Sequence, residues 1–237
     1  MFSHVGKART ARHNFAIAIL LSFVAGLVNV VGFFTIKVLT TNVTGHFAFF
    51  IDEVFKLNFY GALHLALYVL AFFLGAFTAN LLVETSSRIR ETETYIYPVL
   101  AEACILGIMA FSGFFISQEH AEFIAFSLLF AMGMQNSLVT SISNNIVRTT
   151  HLTGLFTDMG IECSQLFFYR DPERRRQLLK SIRLRFAIIL FFFIGGVCGA
   201  VMHTNFGLRS LLLGSVLLLG GLLYDYLKIK FLLVLKK

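Results

Sequence analysis

The chain of 237 residues is 57% hydrophobic and only 14% charged, where an ordinary soluble domain carries roughly 25% charged residues; its mean hydropathy is +0.78. A soluble domain of this size has no interior able to hide 28 Phe together with that aliphatic content, so the composition excludes one and points to an all-α polytopic membrane protein. The net charge of +7 then reads as a cytoplasmic excess of Lys and Arg, and no nucleic-acid partner is expected.

Crossing a hydrocarbon core of roughly 30 Å takes about 20 helical residues, and six stretches qualify. The first, 15–37, follows Lys7, Arg9 and Arg12. It lacks a small-x-small cleavage site, so it is expected to stay as a span and not to act as a signal peptide. Residues 38–58 (VLTTNVTGHFAFFIDEVFKLN) come next and are too short to cross. Span two is expected at 60–83, followed by Arg88 and Arg90, and span three at 95–116. A short acidic link with Glu119 and Glu122 leads to span four at 121–143. Residues 144–169 (NNIVRTTHLTGLFTDMGIECSQLFFY) form a second short piece. A basic loop over 170–185 precedes spans five and six, at 185–204 and 209–227. Cys104, Cys163 and Cys198 are far apart in apolar surroundings and read as small buried hydrophobes, without a disulfide or metal pattern.

The two short pieces are copies. Thr44, Gly45, Phe47, Glu53, Leu57, Phe59 and Tyr60 match Thr153, Gly154, Phe156, Glu162, Leu166, Phe168 and Tyr169 at an offset of 109. Upstream, Gly26 and Asn29 match Gly133 and Asn136 at an offset of 107; downstream, FFLGAFTA (72–79) resembles FFIGGVCG (192–199) at an offset of 120. Each half, 1–116 and 117–237, thus reads as span, short helix, span, span. Three spans per half is an odd number, so the second copy is expected upside down relative to the first, as in secondary transporters built from inverted repeats. With both termini inside, 17 of the 20 Lys and Arg lie on the cytoplasmic side, leaving Lys37, Lys56 and Arg209 outside.

The first short piece should then be reached from outside and the second from the cytoplasm. Span two starts directly after Lys56, so helix 45–56 has no return path of its own. The TTNVTG segment must dip inward as extended chain and the helix must climb back out; TTHLTG before helix 154–168 repeats this. Both helices would begin near the bilayer midplane, where irregular backbone survives only against protein or a cavity. Thr hydroxyls are expected to cap the bare N–H groups and Gly to allow close backbone approach. Two helix N-termini facing each other make a positive region suited to an anion or carboxylate.

These same motifs carry a resemblance. FVAGLVNVVGFF (23–34) with TTNVTGHFAF (40–49), and AMGMQNSL (131–138) with VRTTHLTGLFTD (147–158), are similar to the YoaK family of small bacterial inner-membrane proteins, over nearly the whole chain. The resemblance implies a six-span protein of the bacterial inner membrane and assigns no chemistry. The chain departs from that family at Asn29, where an acidic residue is usual, and at His46, where Asn is common. Any role in relatives that depends on that acid therefore does not carry over.

Polar groups at membrane depth are costly and mark function by default. The candidate substrate-binding residues are Asn29, Thr41, Thr44, Gly45, His46, Gln135, Asn136, Thr150, His151, Thr153 and Gly154. Interhelical hydrogen bonding is the competing role for Asn29, Gln135 and Asn136, and a structural hydrogen bond the competing role for each His. Glu53 and Glu162 are candidates for gating, or for pairing with Lys56 and Arg148. Glu102 is the candidate proton-coupling carboxylate, His64 is unmatched, and Asp225 is expected at the interface beside Lys228. The basic run RDPERRRQ (170–177) reads as a topology determinant resting on anionic lipid headgroups. No Walker loop, Rossmann turn, zinc site or hydrolase elbow is present, so no enzyme, cofactor or metal is expected.

The leading expectation is a small secondary transporter for an anionic or zwitterionic small-molecule solute, working by alternating access. A membrane enzyme or lipid-handling protein, and a channel of the same architecture, are the alternatives. Membrane lipids are the expected surroundings, and a homodimer is compatible with the sequence.

Overall fold

The computed structural model describes residues 11–89, 95–112, 121–142 and 149–235. Among these the chain is all helical. In order it forms α1 (Ala11–Ile36), α2 (Val43–Phe55), α3 (Phe59–Ile89), α4 (Ile96–Ser112), α5 (Ala121–Ile142), α6 (Leu152–Phe168), α7 (Pro172–Phe206), a 3-10 turn (Gly207–Ser210) and α8 (Leu211–Leu235). Four stretches are long and apolar enough to cross a membrane: Phe15–Ile36, Phe59–Arg88, Ala121–Ile142 and Pro172–Lys228. The last runs through the 3-10 turn and takes in both spans expected beyond residue 185. The third expected span coincides with α4 over its described part. Lys7, Arg9, Arg90, residues 113–116, Glu119, residues 143–148 with Arg148, Lys236 and Lys237 lie outside the described residues.

The membrane assignment rests on more than length. Along α3, Leu63, Leu67, Leu70, Phe73, Leu74, Phe77 and Leu81 are all exposed. An apolar face of that extent is not tolerated in water, but in a bilayer it faces lipid chains as apolar as itself. The interior belongs to α1 and α5. Ile17, Leu21, Val24, Leu27, Val28 and Val31 of α1 and Leu128, Met132 and Leu138 of α5 are fully buried.

Around this central pair the packing is crossed between the two halves of the chain. α1 lies along α7 and α3 along α5, while α2 packs on α3 and α6 on α7. α4 meets both α5 and α8, and α8 also meets α1. The crossed pairs are held at close backbone approach by glycine, the usual means of association where hydrophobicity gives no drive. A Cβ at Gly26 would strike the Phe192 carbonyl, and one at Gly133 would strike the Phe72 carbonyl. Likewise Gly75 lies on the Phe130 carbonyl and Gly195 on that of Phe23. Each contact is therefore made twice, by residues 107 apart on α1 and α5 and 120 apart on α3 and α7.

Two features differ from the sequence expectation. The basic stretch is no loop: α7 begins at Pro172, and Asp171 caps it by accepting from the Arg174 N–H at 2.8 Å. Asp, then Pro at the first helical position, is a strong helix start. At 1.5 Å per residue the 35-residue helix is about 52 Å long, so its Arg-rich first turns extend past a hydrocarbon core of roughly 30 Å. The cysteines are not buried: Cys104 and Cys163 are exposed and Cys198 is half-buried.

Candidate functional site

α1 ends where Lys37 adopts the left-handed conformation, with φ of 59°, its N–H still reaching the Phe33 carbonyl at 3.0 Å. From there the chain runs to α2 without regular helix or strand, but only as far as Asn42: α2 starts at Val43, so the second half of the TTNVTG motif is its first turn and not extended chain. The equivalent segment delivers the chain to α6 at Leu152. The two segments are tied down in the same way. The Asn29 side-chain oxygen accepts from the Thr41 N–H at 3.2 Å and from its hydroxyl at 3.0 Å. The Asn136 side-chain oxygen accepts from the Thr150 hydroxyl at 2.9 Å.

A cavity of about 630 Å³ opens where the N-termini of α2 and α6 converge. From the first half it is lined by Thr41, Asn42, Thr44 and Gly45, and from the second by Asn136, Thr150, His151 and Thr153, with Val43, Ala48, Phe72 and Leu152 completing the wall. Seven of the eleven candidate binding residues are thus brought together. The other four are placed elsewhere. Asn29 stands behind Thr41. Gly154 lies under the His151 ring, which a Cβ there would strike. Gln135 is fully buried and bridges helices, donating to the Leu21 carbonyl at 2.7 Å and to the Thr149 hydroxyl at 3.4 Å. His46 is buried and turned away: its Nε2 donates to the Leu39 carbonyl at 2.8 Å, and its ring meets Tyr68 edge-on.

The caps differ from the expected threonines. α2 is capped by Asn42, whose side chain accepts from the Gly45 N–H at 3.0 Å. At the matching position α6 has His151, which makes no side-chain capping bond. The first-turn N–H groups of α6 thus lack the side-chain acceptor that α2 has, beside an exposed imidazole on the cavity wall. One end of the cavity is satisfied from within the chain and the other is not, so positive potential is strongest at α6. The sequence reading missed Asn42, although Asn at a helix start is a capping signal.

The carboxylates are spread over other positions. Glu53 sits at the end of α2, 2.5 Å from the Asn58 amide and 3.4 Å from Lys56. Glu162 pairs with Arg185 at 2.6 Å, and the same guanidinium reaches Asp158 at 3.2 Å and the Ser181 hydroxyl. The partner of Glu162 is thus Arg185; Arg148 lies outside the described residues. Glu102 is fully buried in α4, with neither oxygen hydrogen-bonded, and is not on the cavity wall. His64 is 2.9 Å from Glu122, linking α3 to α5. Asp225 is buried.

Long apolar-faced helices, with a polar cavity where two short helices converge on their N-termini, define a helical membrane protein. The chain belongs to the family described as "Protein of unknown function (DUF1275)", whose family model matches residues 17–224. No curated protein and no solved structure matches it.

Proposed function

We propose that the protein is a small secondary transporter of the bacterial inner membrane, with both termini in the cytoplasm. It moves a small anionic or zwitterionic solute by alternating access around the cavity between α2 and α6. The observation that carries this reading is the cavity wall itself. Thr41 and Thr150, Asn42 and His151, and Thr44 and Thr153 face one space from positions 109 apart in the chain. A duplication brings such residues to one place when its copies are related by a two-fold axis, and the doubled glycine contacts of α1 with α7 and α3 with α5 support that relation. An odd number of spans in each half makes the axis lie in the membrane plane, the arrangement of inverted-repeat carriers with midplane sites. The crossed packing also gives a rocking element: each short helix travels with the long helix it packs on, α2 with α3 and α6 with α7.

The test is uptake into proteoliposomes of a panel of labelled small carboxylates and amino acids. A carrier gives saturable, solute-specific uptake that collapses in Thr44→Trp and Thr153→Trp, which fill the cavity. Flux that stays linear with gradient replaces the carrier with a channel, and absence of any flux removes transport. Topology is tested separately by reporter fusions within 88–94 and 171–180, both expected in the cytoplasm; an external signal at either removes the inverted repeat.

A further inference from the structure

A second, smaller cavity of about 150 Å³ lies between α1, α2 and α3, and its wall includes Lys37, Val38, Asn42, Gly45, His46 and Tyr68. Asn42 and Gly45 also line the central cavity, so the two spaces are separated by little more than the capped first turn of α2. Two polar groups of the smaller space are without a partner of their own kind. Lys37 makes no ion pair among the described residues; its ammonium lies over the rings of Phe33 and Phe34, 5.5 and 6.0 Å from their centroids. His46 is only 4% exposed, and its Nδ1 has no hydrogen-bond partner. Because Nε2 faces a carbonyl oxygen, which can only accept, the ring proton sits on Nε2 and Nδ1 offers a lone pair.

The backbone holds this arrangement. The left-handed φ of Lys37 turns the chain out of α1, and the bond from His46 to Leu39 ties the following segment to α2. An exposed cation and a buried acceptor on the wall of one small cavity are complementary to a solute carrying a negative group and an N–H or O–H donor. That is the chemistry of a small amino acid or hydroxy acid.

We propose that this cavity is the outer vestibule of the transport path, an anion subsite in which Lys37 and His46 receive the solute before it passes the Asn42 turn into the central cavity. The inference rests on the transporter reading for its direction, outside to centre. The Asn42 side chain, by accepting from Gly45, caps the turn whose residues line both spaces; releasing that bond bares the α2 N-terminus to the arriving anion.

The experiment needs no knowledge of the solute. In a background with Cys104, Cys163 and Cys198 changed to Ser, Val38→Cys places a thiol on the vestibule wall. Intact cells are treated with an anionic (sulfonatoethyl) or a cationic (trimethylammonioethyl) methanethiosulfonate, and each rate is divided by that of free cysteine. The expected result is an anion preference of about tenfold, the lower end of electrostatic focusing in a charged cleft. It shrinks with added salt, is lost in Lys37→Gln and is kept in Lys37→Arg. No labelling of Val38→Cys, equal normalised rates for the two reagents, or a preference that survives Lys37→Gln in protein with an unchanged gel-filtration profile overturns the proposal. The salt arm requires no change at Lys37 and so does not depend on that variant folding. The readout is also independent of transport: anion preference without solute flux leaves the vestibule standing and removes the carrier, while solute flux without preference does the reverse.

Discussion

The Asn136 side-chain oxygen accepts the Thr150 hydroxyl at 2.9 Å on the wall of the central cavity, and Asn29 does the same for Thr41 while also taking its backbone N–H. The two bonds have different consequences when cut. Asn136→Ala frees a hydroxyl that already faces the cavity, so its cost lies near the lower end of the roughly 0.5–1.5 kcal/mol typical of one hydrogen bond. Asn29→Ala unmakes two bonds, one to a hydroxyl and one to a half-buried backbone N–H, so its cost is about twice that of a single bond. Thermal unfolding in detergent should therefore show the larger drop in Tm for Asn29→Ala, with Asn29→Asp, which keeps the acceptor, closer to the parent. Equal losses in the two Ala variants would mean that the backbone bond contributes nothing.

The glycine contacts make a prediction in pairs. Gly26→Ala and Gly133→Ala each push a methyl into a carbonyl on the facing helix, as do Gly75→Ala and Gly195→Ala. The obstacle is backbone, which cannot rotate aside, so each costs at least the roughly 1–3 kcal/mol of overpacking. Gly160 and Gly220 sit in helices with nothing within 4 Å of the same methyl, and Ala there gains about 0.5–1 kcal/mol of helix propensity. Folded yield and Tm should fall for the first four and hold or rise for the last two. A benign Gly133→Ala beside a damaging Gly26→Ala would break the equivalence of the two crossed pairs.

What the sequence made legible follows from scarcity. In a chain this apolar, a Thr, Asn or Gly that recurs at a fixed offset stands out, and Thr44 with Thr153 and Asn29 with Asn136 led directly to the cavity and its supporting bonds. Helix positions were legible because hydropathy sets them. What escaped depends on tertiary placement. Nothing local distinguishes Gln135, which bridges to α1, from its neighbour Asn136, which faces the cavity. His46 turns to Leu39 because burial at that position calls for a backbone partner, while His151 at a helix start stays exposed. The basic run misled through its charge: seven Lys and Arg within 170–185 suggested a solvated loop, although Asp171 and Pro172 spell a helix start.

Arg185 holds α6 against α7 through Glu162 and Asp158, whereas among the described residues the matching Glu53 bonds within its own segment, to Lys56 and Asn58. The clamp is partly shielded, with side-chain exposures of 22% for Arg185 and 16% for Glu162, so it is worth more than a surface pair. A double-mutant cycle of Arg185→Gln and Glu162→Gln should give a coupling of about 0.5–3 kcal/mol, the range for residues in contact. The cycle of Lys56→Gln with Glu53→Gln should give less than about 1 kcal/mol, because Lys56 is largely exposed. A coupling near zero for the Arg185 pair would mean that packing alone holds α6.

Gly154 and His151 test the local geometry of the α6 N-terminus. The imidazole folds back over the first turn so closely that a Cβ at Gly154 would strike Cδ2 and Nε2 of the ring. Gly154→Ala alone should therefore displace the ring from the cavity wall and cost stability, though less than the backbone clashes of Gly26 or Gly133, because a side chain can rotate. Removing the ring removes the obstacle: His151→Ala with Gly154→Ala should recover the Tm lost by Gly154→Ala. At Gly45 the neighbour is the capping Asn42 amide, 2.9 Å from the same methyl position, and relief there comes at the expense of a helix cap worth about 1 kcal/mol. Asn42→Ala with Gly45→Ala should thus remain destabilised where the His151 and Gly154 pair is rescued. Rescue in both pairs would show that Asn42 contributes no capping energy, and rescue in neither would show that something other than these side chains requires the glycine of each Thr-Gly turn.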